Sequence, residues 1–327
     1  MKPLVLVRAL PLPLLLCACS SVAVRVPAVK PAEINLAAYQ SVGIGAVTGS
    51  GNFAVADALE DALTSSQRFQ VVDRVHMGQL LKELQLTPAD LQTPKGTAKL
   101  AKLVADGALI FGETTERFSE VPNRQDWKDE QKNTHVLNTL KGEVYVRATF
   151  KVVDIASGRL IVAKTYEERR QDLSQNIDKR PDPVDRHALE VAARQAIVMR
   201  FMRAIVPHTE YQEAGFRKDS DLPQFEGGIG HAQRGEWKEA EAAFSAALQD
   251  AEQNKKLKSS TLAKCYWNLG LTYEYAGDYD KASELLGKAY KLSNDEAMLP
   301  EIDNVKRLQS DSRRLPGQLS ANAGSGK

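Results

Sequence analysis

The sequence predicts an α/β domain built on a mixed sheet, followed by a separate all-α domain of helical repeats. Three observations carry this expectation. Ser41–Arg74 alternates strand, glycine turn, amphipathic helix and strand; Gly142–Tyr166 has the pattern of a β-hairpin; and beyond Leu222 one glycine- and alanine-spaced motif occurs twice. A chain of 327 residues has room for two such domains.

Ser41–Val47 mixes small and β-branched residues, as a buried strand does. Gly49 and Gly51 break that run, and Asn52 is placed to cap the next helix. Phe53, Ala56, Leu59 and Leu63 fall at helical spacing, while Asp57, Glu60 and Asp61 take the wet face. Phe69–Val72 returns as a strand. Val75–Leu86 predicts a second helix, Thr97–Ala105 a third, and Ala108–Phe111 an apolar strand of the kind found at a sheet centre. Val144, Val146, Ala148 and Phe150 alternate with polar neighbours, Asp154–Gly158 supplies a turn, and Leu160–Tyr166 returns. Val184–Val206 is a long helix ended by Pro207. Glu116–Lys141 and Glu167–Pro183 are rich in charges of both signs and contain proline, and are expected to be loops.

The N-terminus has the pattern of a targeting segment over residues 1–18, with Lys2 and Arg8 ahead of a short apolar run. It is too short, and too interrupted by Pro11 and Pro13, to span a bilayer as a helix. Leu16-Cys17-Ala18-Cys19 resembles a bacterial lipobox, which implies cleavage before Cys19 and its lipidation. Three acyl chains would hold the protein stably, where one alone is marginal. Ser20, rather than Asp, after the cysteine implies the outer membrane, with the protein facing the periplasm. Residues 19–36, with Pro27 and Pro31, are expected to form an extended tether. Loss of Lys2 and Arg8 leaves 41 basic residues (43 less 2) against 42 acidic ones, so no nucleic-acid footprint is visible. Cys265 remains as a lone thiol in an apolar helix and is expected in the core.

In the C-terminal half, Gly228, Gly235, Trp237, Ala240, Phe244 and Ala247 recur as Gly270, Gly277, Tyr279, Ala282, Leu286 and Ala289. These intervals match the tetratricopeptide pattern, with a longer step between copies than the usual 34 or so residues. The resulting plan is a domain over 37–207, a linker over 208–221, two repeats and a capping helix over 222–310, and a disordered tail over 311–327. In tetratricopeptide folds the first helix of each pair lines the concave face. That places Trp267, Asn268, Leu271, Glu274 and Tyr275 as candidate partner-binding residues.

The succession SVGIGAV, VADALEDALTSSQRFQVVDR, MGQLLKEL, DGALIFGETTERF and VRATFKVVDIASGRLIVAKT resembles the CsgG-like family of outer-membrane lipoproteins, with LpoB-like proteins as a more distant likeness. The F-x-V-V-D-R step at Phe69–Arg74 and the turn at Val152–Val162 carry most of it. The resemblance implies an envelope protein with a protein partner, either a secretion or assembly component or a peptidoglycan synthase, and allows a homo-oligomer. It also admits a secretion channel, in which two amphipathic segments build a barrel. The corresponding stretches, Glu116–Lys141 and Glu167–Pro183, lack the apolar alternation of membrane strands, so a non-enzymatic adaptor is the favoured reading.

No catalytic chemistry is expected. The glycines at 43, 45, 49 and 51 miss the dinucleotide fingerprint, because Thr48 stands where the third glycine belongs. The five histidines lack metal-ligand spacing, and no G-x-S-x-G occurs. Neither a cofactor nor a metal is anticipated.

Overall fold

The computed structural model describes residues 21–72, 74–87 and 107–319, with single positions at Asp90, Thr93, Lys95, Gly96 and Lys99. The targeting segment, Cys19 and the helix expected at Thr97–Ala105 lie outside the described residues, the last but for Lys99. The chain forms two units: one holds residues 21–28 with Thr209–Asp311, the other Val29–His208 with residues 312–319.

The second of these is the α/β unit. Its five-stranded sheet has the order β3-β2-β4-β5-β6, made of Ser41–Gly49 (β2), Gln70–Val72 (β3), Gly107–Lys128 (β4), Thr134–Asp154 (β5) and Leu160–Ile177 (β6). β2 runs parallel to β3 and β4, whereas β5 is antiparallel to both β4 and β6, so the sheet is mixed as expected. The apolar Ala108–Phe111 run lies in the central strand. One face is covered by α1 (Asn52–Ser66) through Val55, Leu59 and Leu63, and by α3 (Arg186–Ile205) through Ala193, Ile197, Phe201 and Ile205. Phe150 of the sheet stacks on Phe201 of α3 at 4.5 Å. The opposite face gathers Leu109, Phe111, Val153 and Ile155 around Leu81 of α2 (Arg74–Glu83).

Gly49 shows why the first turn needs glycine: its φ is +95°, and a Cβ there would stand 1.9 Å from the Thr114 carbonyl oxygen. Asn52 does not cap α1; its side-chain amide instead donates to the Val47 carbonyl at 3.1 Å, back along the turn.

Four expectations from sequence are corrected. Glu116–Lys141 and Glu167–Pro183 are largely strand rather than loop: β4, β5 and β6 are 22, 21 and 18 residues long and carry the sheet outward as a three-stranded arm. Charged side chains suit strands exposed on both faces, and periodicity alone does not separate such strands from loops. The tether is occupied from Ser21 to Lys30 by β1, which hydrogen-bonds to β7 (His208–Arg217) within the supposed linker. The tail from 311 to 319 is helical, because α8 runs Leu299–Leu319.

The arm is rooted by a half-hidden ion network. Arg194 of α3 donates to both carboxylate oxygens of Glu116 at 3.0 and 2.6 Å, and to Glu190 at 3.1 Å, which in turn accepts from Arg186 at 2.6 Å. A bidentate guanidinium–carboxylate pair fixes geometry as well as charge. No helix among the described residues is long and apolar enough to cross a membrane.

Arg194→Ala leaves Glu116 and Glu190 facing each other at low exposure. Chemical denaturation is expected to show a loss of about 3 kcal/mol, against well under 1 kcal/mol for the exposed pair Arg124–Asp126.

Candidate protein-interaction site

Two surfaces are candidates for docking, one in each unit, and the chain itself fills the first. The repeat unit is built from α4 (Phe225–Gln233) and α5 (Trp237–Gln253), then α6 (Ser259–Ala276) and α7 (Tyr279–Ser293), with a short 3-10 turn at Glu296–Met298 and the start of α8 as cap. Small residues let paired helices approach: a Cβ on Gly270 would stand 2.8 Å from the Leu286 side chain. Phe244 fills the first pair, stacked at 5.7 Å on Phe216 of β7 and met edge-on at 5.8 Å by Phe225.

The five candidate residues do come together on the inner side of α6, but the chain's own strand β7 covers it. Trp267 is buried and donates its indole N–H to the Gly215 carbonyl at 2.8 Å, under the Arg217 guanidinium. Asn268, fully buried, grips the main chain of Arg217 twice: Oδ1 accepts from its N–H and Nδ2 donates to its carbonyl, both at 2.8 Å. Leu271 is in the core. Past the end of β7, Asp219 accepts from Thr261 at 3.1 Å and from Lys264 at 3.0 Å. The inner face is therefore a reader of extended main chain, and its occupant is built in.

Glu274 and Tyr275 sit one turn further on. Glu274 Oε1 accepts from Asn304 of α8 at 2.8 Å, and Oε2 has no hydrogen-bond partner among the described residues. Asn304 also donates to Gln212 of β7 at 3.0 Å. Burial, then the neighbouring Glu301 carboxylate, pushes the Glu274 carboxyl up to about 9. Tyr275 donates to Glu301 at 3.2 Å, stacks on Trp237 at 5.9 Å, and has its hydroxyl pushed up by burial. Cys265 is a core thiol raised to about 12 by burial.

The second surface is the arm, formed by the two stretches expected to be loops. The register sets Val121 opposite Lys141 and Lys141 opposite Leu173, then Gln125 opposite Leu137 and Leu137 opposite Ile177, with Trp127 facing His135. Directly opposed residues share a face, as do those two positions along. Val121 (59% exposed), Leu173 (60%), Ile177 (50%) and Trp127 (43%) therefore lie on one face as a broken apolar stripe, crossed by Lys141 and by the polar row Asn123–Thr139–Gln175. At the tip His135 stacks on Trp127 at 4.9 Å and bridges Asp178 (2.7 Å) and Asp129 (3.2 Å); those two carboxylates raise its pKa. The signal available in sequence was the sparse recurrence of Val121, Trp127, Leu137, Leu173 and Ile177 at even spacings within each strand. No group of three or more potential metal ligands converges among the described residues.

Trp267→Ala is expected to lower unfolding free energy by about 3–5 kcal/mol, since it removes core volume and orphans the Gly215 carbonyl. Glu274 predicts a pH dependence. Its folded pKa lies above the ordinary 4.5, so its contribution is complete below about pH 4.5 and is lost as pH rises towards 9. Urea melts of the wild type should lose up to about 1.4 kcal/mol per pH unit in that window relative to Glu274→Gln.

Comparisons with known proteins agree with this division. The family model for the curli production assembly/transport component CsgG matches residues 27–125, and that for the tetratricopeptide repeat matches residues 228–295. No curated protein matches. Among solved structures, the chain is similar to lipoprotein GNA1162 from Neisseria meningitidis at 14% identity, over 49% of this chain and 96% of that one (TM-score 0.29). It is also similar to the LpoB C-terminal domain from Salmonella enterica at 13% identity, over 40% and 83% (TM-score 0.26). A minor lipoprotein from Acinetobacter baumannii matches at 12% identity, over 50% and 91% (TM-score 0.24). The chain thus joins a segment that matches the CsgG family model, residues 27–125, to one that matches the tetratricopeptide repeat, residues 228–295.

Proposed function

We propose that this protein is a non-enzymatic adaptor of the bacterial cell envelope, anchored by lipid on Cys19 to the outer membrane and facing the periplasm. It binds a protein partner, either a secretion or assembly component or a peptidoglycan synthase. The observation that carries the reading is the arm: three strands beyond Gly142, the middle one half-buried between its neighbours, with Val121, Leu173, Ile177 and Trp127 on one face turned to solvent. Exposed apolar stripes edged by charge are characteristic of interaction sites. The CsgG and tetratricopeptide matches support the same direction.

A channel subunit is the second reading, and the strand lengths favour it: all three exceed the roughly 9–11 residues that span a bilayer. Against it, Lys141, Glu143 and Arg169 share the stripe's face, while Arg124, Asp126 and Asp172 occupy the other. An Arg or Lys facing lipid at midplane costs about 2–4 kcal/mol. Either face would meet lipid with charge on it.

A photo-crosslinking amino acid at Val121 or Leu173 is expected to capture one envelope protein in cells, and Cys19→Ala to release the protein from outer-membrane fractions. Stepwise conductance by the purified protein in planar bilayers would reverse the ranking in favour of the channel. Labelling of no protein above background at both arm positions would sink the adaptor.

A further inference from the structure

We propose that the outer face of the β1–β7 ribbon lies on a phospholipid surface, held there by the lipid on Cys19. The placement rests on the anchoring of Cys19 proposed above. Two peptide bonds separate Cys19 from Ser21, where β1 begins, and consecutive Cα atoms are about 3.8 Å apart. An acylated Cys19 therefore stands within about 8 Å of a strand that is already hydrogen-bonded to β7.

The two faces of the ribbon differ as this requires. Val24 and Val26 of β1, with Ala214 and Phe216 of β7, are buried in the core of the repeat unit. The alternate residues Ser21, Ala23, Arg25, Tyr211 and Glu213 are exposed. Arg25 lies over the Tyr211 ring at 4.2 Å, and Tyr211 is 60% exposed. A tyrosine with a polar tip beside a long basic side chain is the pairing that settles at a headgroup boundary, where an apolar body and a charged end are both accommodated. The charges named on this face, Arg25 and Glu213, are of opposite sign, which suits an approach driven by tethering rather than by electrostatic attraction. One consequence is that the repeat unit stays at the membrane, and its partners must reach it there.

The test uses the full chain, acylated at Cys19 and reconstituted into vesicles of phosphatidylethanolamine and phosphatidylglycerol. Tyr211→Cys, and separately Glu213→Cys on the same face, are labelled with an environment-sensitive fluorophore; Lys288→Cys, on an exposed part of α7, is the control. Cys265 stays unlabelled because it is buried and its thiol is raised to about 12. Spin-labelled lipid is expected to quench the probes at 211 and 213 about threefold and to leave 288 unaffected. Insertion of about 20 Gly/Ser residues between Ser20 and Ser21, with a reach of roughly 25 Å, should abolish that quenching while flotation with vesicles persists. Flotation without quenching at 211 and 213 overturns the placement and leaves the anchor standing. Quenching that survives the insertion overturns the short connection as its cause. Failure of the acylated protein to float overturns the anchor, and the placement with it.

Discussion

The repeat unit depends on how its inner face is filled. Two tetratricopeptide pairs and a cap are too few to bury their own concave side, since stacked repeats gain stability from neighbours. Here the missing neighbour is a strand. Asn268 satisfies both main-chain groups of Arg217, and Trp267 satisfies the carbonyl of Gly215, two residues earlier on the same side of β7. Phe216, between them in sequence, then points the other way, into the aromatic cluster of Phe244 and Phe225. A buried amide or indole left unpaired would cost more than a bond gains, so these polar groups specify one position for the strand and exclude a slipped register. Much the same device recurs in the α/β unit, where Gln318 takes both the N–H and the carbonyl of Ala32.

In the α/β unit the governing constraint is continuity of register. β4 and β5 pair without a shift from Ala108 opposite Asp154 to Lys128 opposite Thr134, so the alternation that buries Val144, Val146, Ala148 and Phe150 also dictates which arm residues share a face. Arg194 and Glu116 stand where the covered sheet becomes the open arm. The edge strand β6 is itself guarded: Glu167, Glu168, Arg169 and Arg170 place charge along it, and Arg200 donates to the Glu167 carbonyl at 3.0 Å. Such charges discourage unplanned strand addition. The apolar stripe on the arm's face is left as the place where contact is favoured.

Much of the core was legible because its signals are local. The strand-turn-helix unit at Ser41–Ser66, the central strand at Ala108–Phe111 and the hairpin turn at Asp154–Gly158 each follow from periodicity and glycine placement. The five inner-face residues also converge as their helical spacing implies. What sequence did not disclose is that β7 covers them: its inward contribution to the core amounts to Ala214 and Phe216, too sparse a pattern to distinguish a strand from a linker. β1 leaves a clearer trace, since Val22, Val24 and Val26 alternate strictly, but Pro27 and Pro31 are equally at home in an extended tether.

By itself, then, the sequence determined the mixed sheet and the paired helices, because burial in each is written as a period of 2 or 3.6 within a short window. Tertiary structure alone decided that the inner face is occupied, that the charged stretches are strands, and that the residue after Ser20 enters a folded ribbon. Those outcomes turn on pairing between residues far apart in the chain, such as the hydrogen bonds of Arg217 with Asn268 and the register that sets Lys141 beside both Val121 and Leu173. Main-chain groups carry no side-chain identity, so pairing of this kind leaves little trace in composition.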